Sequence, residues 1–132
     1  MLKTVDLNTR FILQAIRDLH AIPKDQCSSA QYFVLGDWNS GFGASIHTIA
    51  DGLQVALLSK RIFIVLPTAN WIYGDPADCG AVMSPQCFFL VAHETPCFGF
   101  ATSAWAELNT TARRASEALS PGAQFWSYMS PH

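Results

Sequence analysis

From the N-terminus, the first regular spacing of apolar residues is Ile12, Ala15, Ile16 and Leu19. This is an i, i+3, i+4, i+7 stripe with Arg10, Arg17 and Asp18 turned elsewhere. It predicts an amphipathic helix over residues 5–20, capped at its start by Asp6 or Asn8 and stopped by Ile22-Pro23-Lys24-Asp25. The period then changes. Gln31-Tyr32-Phe33-Val34-Leu35 is a short aromatic and β-branched run ended by Gly36-Asp37, which reads as a buried strand. A loop with glycines at 36, 41 and 43 leads into a second helical pattern, with Ile46, Ile49, Ala50, Leu53, Ala56 and Leu57 on one face and Ser40 or Ser45 as its cap. Arg61 then introduces Ile62-Phe63-Ile64-Val65-Leu66, which has no polar residue and is stopped by Pro67. A strand covered on both faces reads this way.

Residues 31–67 therefore spell strand, glycine-rich turn, helix, strand, with the length of a right-handed βαβ crossover. Beyond it, Cys87-Phe88-Phe89-Leu90-Val91 reads as a third short strand. Residues 102–119 read as a last helix with Trp105, Leu108, Ala112, Ala115 and Leu119 on one face. The tail from Ser120 is aromatic but has no period. Trp71, Trp105, Phe125 and Trp126 read as more aromatic surface than so small a core can absorb, and fit an interface with a further domain. The fold class expected is α/β: a partial Rossmann-like, three-layer domain over residues 1–132, with a short, mostly parallel sheet and helices on both faces.

Composition narrows the possibilities. The 132 residues are 50% hydrophobic and 14% charged, which fits one folded domain and excludes intrinsic disorder. A net charge of −2 leaves no basic field for nucleic acid. No apolar run approaches the roughly 20 residues of a spanning helix, and the first ten residues lack the apolar core of a secretory signal, so the chain reads as a soluble domain. Cysteines stand at 27, 79, 87 and 97, with no C-x-x-C, so the usual zinc-ribbon and thioredoxin-like spacings are missing and no metal is expected. Three of them share the stretch 75–99 with Pro76, Pro85 and Pro96, which suits a disulfide-pinned loop in a secretory compartment. Any of the three pairings is open, and four buried thiols in a cytosolic protein would fit the same spacing.

The chemistry, if any, lies in Asp37-Trp38-Asn39-Ser40-Gly41-Phe42-Gly43-Ala44-Ser45-Ile46-His47. In an open α/β sheet, ligands bind beyond the carboxyl ends of the strands. There a strand-to-helix turn offers unpaired backbone N–H groups and the positive end of a helix dipole. Gly41 and Gly43 remove side chains that would block an approaching phosphate. A dinucleotide fingerprint needs a third glycine where Ile46 stands, and an acidic residue after the second strand where Pro67-Thr68 stands, so NAD and FAD are not expected. P-loop and G-x-S-x-G patterns are also missing. The same glycines would equally serve a tight turn with no ligand. His47 is placed to reach a ligand phosphate or an acceptor hydroxyl. His93-Glu94, Arg113-Arg114, Asp75 and Asp78 read as solvated or turn residues.

Ser40-Gly41-Phe42-Gly43-Ala44-Ser45-Ile46-His47, the helix that follows it and Lys60-Arg61-Ile62-Phe63-Ile64 resemble the N-terminal half of the α-1,6-fucosyltransferase, nodulation-type and protein O-fucosyltransferase superfamily. The stretch Pro67 to Tyr73, with Cys79 and Cys87-Phe88-Phe89-Leu90, is similar to the cysteine-bearing region of its eukaryotic members. The resemblance spans residues 30–98. It implies a GT-B glycosyltransferase of two facing Rossmann-like domains. Fucose would pass from GDP-fucose to a glycan or protein hydroxyl, with inversion and without metal or other cofactor. It puts Gly41, Phe42, Gly43, Ser45 and His47 at the cleft. Ser45 replaces the family's glutamine and Ala44 its asparagine, and the His-x-Arg-Arg-x-Asp segment of the donor domain is missing from this sequence. The expectation is an N-terminal domain, part of a larger enzyme and inactive alone, of the Golgi or ER lumen if an N-terminal anchor has been lost and cytoplasmic otherwise. The alternative is a non-catalytic interaction module or degenerate relative using its aromatic residues for docking.

Overall fold

A computed structural model describes residues 7–36, 42–66 and 95–128. The first helix, α1, runs Leu7–His20, and a single 3-10 turn follows at Lys24–Gln26. Asn8 lies inside the helix, not at its cap. Then come β1 (Tyr32–Leu35), α2 (Phe42–Ser59), β2 (Ile62–Val65), α3 (Phe98–Glu107), α4 (Thr110–Ser116) and β3 (Phe125–Tyr128). The expected α/β class is observed. The sheet is parallel throughout, in the order β2-β1-β3.

Strand alternation sorts the core into two layers. Tyr32, Val34, Ile62, Ile64 and Phe125 face one side and pack with Cys27, Cys97, Ala101 and Trp105. Phe33, Leu35, Phe63 and Val65 face the other and pack with Ala56, flanked by Ile49, Leu53 and Trp126. Helix α2 covers the second face and α3 the first, so the strands of the central pair are buried on both sides, as their unbroken apolar runs require.

Three expectations need correction. Helix α2 starts at Phe42, ahead of Ser45, which therefore cannot cap it, and its buried side is centred on Gly52 and Ala56 while Ala50 is exposed. The last helix is two. Leu108 is extended, and Asn109 starts a new helix by accepting the Ala112 N–H through Oδ1 at 2.8 Å. Arg113 donates to the Trp105 and Ala106 carbonyls at the end of α3 and lies 5.4 Å over the Trp105 ring, while Ala115 and Leu119 are exposed. The tail without a period supplies β3, because Phe125 and Trp126 each bury against an opposite face of the sheet. Trp105 and Phe125 are consequently core residues and not interface residues. The expected strand at 87–91, Trp71, and Cys79 and Cys87 lie outside the described residues.

Cys27 and Cys97 form a disulfide, both buried, which ties the turn before β1 to the start of α3. Around it, Tyr32 stacks on Phe125 at 5.3 Å and donates its hydroxyl to the Cys27 carbonyl at 2.7 Å. Burial pushes the Tyr32 phenol up to about 12. Arg61 is almost wholly buried at the amino ends of the strands. It donates to the Tyr32 and Gln124 carbonyls, 3.2 Å each, and lies 3.8 Å over the Trp126 ring. Burial lowers its pKa, but a guanidinium keeps its charge at neutral pH. This arginine joins all three strands from beneath.

Candidate functional site

The three strands end level. The Gly36 N–H donates to the Tyr128 carbonyl and the Leu66 N–H to the Leu35 carbonyl, both at 2.9 Å. Because β2 lies on one side of β1 and β3 on the other, the chain reverses its direction of travel across the sheet at β1. That reversal makes the carboxyl end of β1, beside β3, the topological switch point, where open α/β sheets leave a crevice. The first residue of α2, Phe42, follows Gly36 by six positions, so Phe42 and Gly43 open the helix that comes next in the chain after this edge.

A concavity of ≈ 280 Å³ lies here, on the α2 face, lined by Phe33, Leu35, Thr48, Asp51, Gly52, Val55 and Tyr128. Its floor is strand side chains; its wall is the 48, 51, 52, 55 stripe of α2, an i, i+3, i+4, i+7 set. Gly52 is what lets α2 come so close. A Cβ at that position would stand 2.9 Å from Phe63 Cε1 and 3.0 Å from Cζ. Tyr128, 48% exposed, gives the rim an aromatic face, and Asp51, 62% exposed at its side chain, gives it a carboxylate.

Among the residues expected at the cleft, Gly41 lies outside the described residues, as do the side chains of Phe42 and Ser45; the backbone of Phe42, Gly43 and Ser45 forms the first turn of α2. His47 is 80% exposed, and its Nε2 stands 3.4 Å from Asp51 Oδ2 one turn on. It does not line the concavity itself but adjoins it through Asp51. Thr48, Asp51, Val55 and Tyr128 were not singled out by sequence reasoning. The signal for the first three was available as an i, i+3, i+7 stripe beside the apolar one on α2; for Tyr128 there was none, since its strand had no period.

No family model, curated protein or solved structure matches the chain. The site therefore stands on its own geometry: among the described residues, a crevice with an apolar floor, an aromatic rim residue and a carboxylate on α2. Such a lining takes a ligand with an apolar face and hydroxyl donors. Among the described residues no group of His, Cys, Asp and Glu is arranged to hold a metal ion, and no helix is long and apolar enough to cross a membrane.

Proposed function

We propose that the chain is the N-terminal Rossmann-like part of a fucosyltransferase-like glycosyltransferase, and that the β1–α2 junction forms one wall of its nucleotide-sugar cleft. The observation that carries this reading is the sheet order β2-β1-β3, which makes the strand before the Gly41-Phe42-Gly43 segment the switch strand of the sheet. The helix start would offer amide N–H groups to a phosphate oxygen. The Tyr128 ring and the Asp51 carboxylate would meet the hydroxyls and apolar face of a sugar at the neighbouring crevice. The acceptor hydroxyl would give up its proton as its oxygen attacks the anomeric carbon, and the carbon–oxygen bond to GDP would break with the electron pair leaving on the diphosphate. Among the described residues no basic side chain lines the concavity, and neutralising that leaving group would fall to a second domain. The Cys27–Cys97 disulfide suits a parent enzyme of the secretory lumen.

With one wall only, affinity for the donor should be about millimolar or weaker. The test is NMR titration of GDP-fucose against the isotope-labelled chain, repeated with the donor-binding domain of a fucosyltransferase added. Amide shifts at 42–52 and at Tyr128, strengthened by the added domain, are the expected result. Shifts confined to the amino ends of the strands, or turnover of GDP-fucose by the chain alone, would overturn the reading.

A second reading, a non-catalytic docking module, draws on a different surface from the tryptophans. Phe11, Ile12 and Leu13 on α1 and Leu58 on α2 are exposed, with Phe11 and Leu58 at 77%. Shifts on these residues with a partner protein, and none with GDP-fucose, would favour it.

A further inference from the structure

Of the four asparagines in the chain, at 8, 39, 70 and 109, only Asn109 is followed by a residue other than proline and then by a hydroxyl residue, in Asn109-Thr110-Thr111. We infer that Asn109 is an N-glycosylation acceptor and that the chain matures in a lumen that carries out this transfer. All three residues are exposed, Asn109 as the cap of α4 and Thr110 and Thr111 as its first two residues. Asn109 has extended backbone angles, φ −77° and ψ 171°, so it lies outside the helical residues that it caps.

The local hydrogen bonding is compatible with modification. The capping bond from the Ala112 N–H ends on Oδ1, while Nδ2 has no partner among the described residues. Glycan transfer uses Nδ2. A bond forms from Nδ2 to the anomeric carbon of an N-acetylglucosamine, the bond from that carbon to a lipid-linked diphosphate breaks, the diphosphate leaves with the electron pair, and Nδ2 gives up one proton. Oδ1 is untouched, so the cap survives in the product.

A second feature points to the same compartment. Cys97, the residue before α3, is joined to Cys27, and both are buried. Such a bond persists where the redox environment is oxidising, and N-linked transfer takes place in one such lumen. The location is also permissive. Helix α3 packs on the Tyr32 and Val34 face of the sheet, while the concavity opens on the Phe33 and Leu35 face. A glycan on the α3–α4 link would therefore leave the candidate site open. The inference does not depend on sugar transfer by the protein itself.

The experiment is expression of the whole chain behind a cleavable secretory leader in animal cells, followed by digestion with peptide N-glycosidase and peptide mass spectrometry. Transfer occurs on entry to the lumen, so retained and exported protein are both informative. The expected result is a heavier species that collapses on digestion and leaves Asp at 109. Thr111→Ala should abolish the heavier species. Asn109→Asp should do so too while keeping a capping oxygen, so its melting temperature should equal that of the digested protein, and it answers the question if Thr111→Ala does not fold. Disulfide-bonded protein recovered from the lumen with Asn109 unmodified would overturn the inference.

Discussion

His20 Nε2 accepts the Phe63 N–H at 3.0 Å, and by this bond the end of α1 closes a donor on the side of β2 turned away from β1. The N–H groups of Ile62 and Leu66 point to β1, so that of Phe63, between them, points away from it. The ring is 3% exposed, and its Nδ1 lies 2.7 Å from the Ile16 carbonyl. Both contacts are satisfied by one form only: neutral, with the hydrogen on Nδ1, which donates to Ile16. Without this ring the donor would be left unpaired under α1.

This arrangement sets a pH dependence. Burial holds the His20 pKa below 6.5, so between 6.5 and the folded value the unfolded chain binds the proton and the native state does not. The contribution is complete above pH 6.5 and is lost as pH falls through that window, with a slope of at most about 1.4 kcal/mol per pH unit. Urea denaturation at pH 7.5, 6.5 and 5.5 should show the decline in the native chain, and His20→Gln should flatten it. Superimposable profiles for the two proteins would refute the assignment.

The Cys27–Cys97 bond closes a loop with a sequence separation of 70. Limiting the unfolded chain over that length is worth about 4 kcal/mol, a large share of the stability of a domain this small. The double variant Cys27→Ala, Cys97→Ala should lose that much in urea denaturation under non-reducing conditions. A loss below about 1 kcal/mol would mean that the bond merely joins elements already held together.

Gly52 tests the close approach that shapes the concavity. Alanine raises intrinsic helix stability by about 1 kcal/mol over glycine. Here its Cβ would meet the buried Phe63 ring at 2.9 Å, and crowding of that kind costs about 1–3 kcal/mol. Gly52→Ala should therefore be destabilising by about 1 kcal/mol net, against the propensity trend. Pairing it with Phe63→Leu should recover part of the loss, a coupling that a double-mutant cycle reads directly.

What was legible in the chain follows from the physics of each segment. Residues 32–35 and 62–65 are buried on both faces, so every position had to be apolar, and the signal was unambiguous. The β1–α2–β2 unit was readable for the same reason. Residues 125–128 form a strand with one face against Tyr32 and the other against α2, but with Ser127 inside, bonded to Ser116, and Tyr128 at the rim. Neither alternation nor an apolar run was available to mark it. The break at Asn109 was missed because the apolar spacing runs through it; only a cap, written in one residue, interrupts the helix. None of the described residues that line the crevice belongs to the glycine-rich turn that the sequence singles out; the crevice is made of an α2 stripe and a β3 residue that only the fold brings together.

The end of α2 offers a prediction of opposite sign. The Arg61 N–H donates to the Ala56 carbonyl at 2.8 Å and that of Lys60 to Leu57 at 3.3 Å, the paired bonds of a Schellman closure, and Lys60 takes φ 57° to make them. A side chain in that left-handed region costs roughly 1–2 kcal/mol, which glycine avoids, less the extra freedom glycine gains in the unfolded chain, roughly 0.5–1 kcal/mol. Lysine stands there although the turn prefers glycine, because the constraint falls on the next residue: Arg61 must drop beneath the strands to reach the Tyr32 and Gln124 carbonyls and the Trp126 ring. Lys60→Gly should raise stability by about 0.5–1 kcal/mol without disturbing that anchor. Lys60→Val, with a branched side chain in the same backbone region, should lower it by a similar amount or more. Urea denaturation of both variants reads the difference, and a stabilising valine would remove the backbone argument.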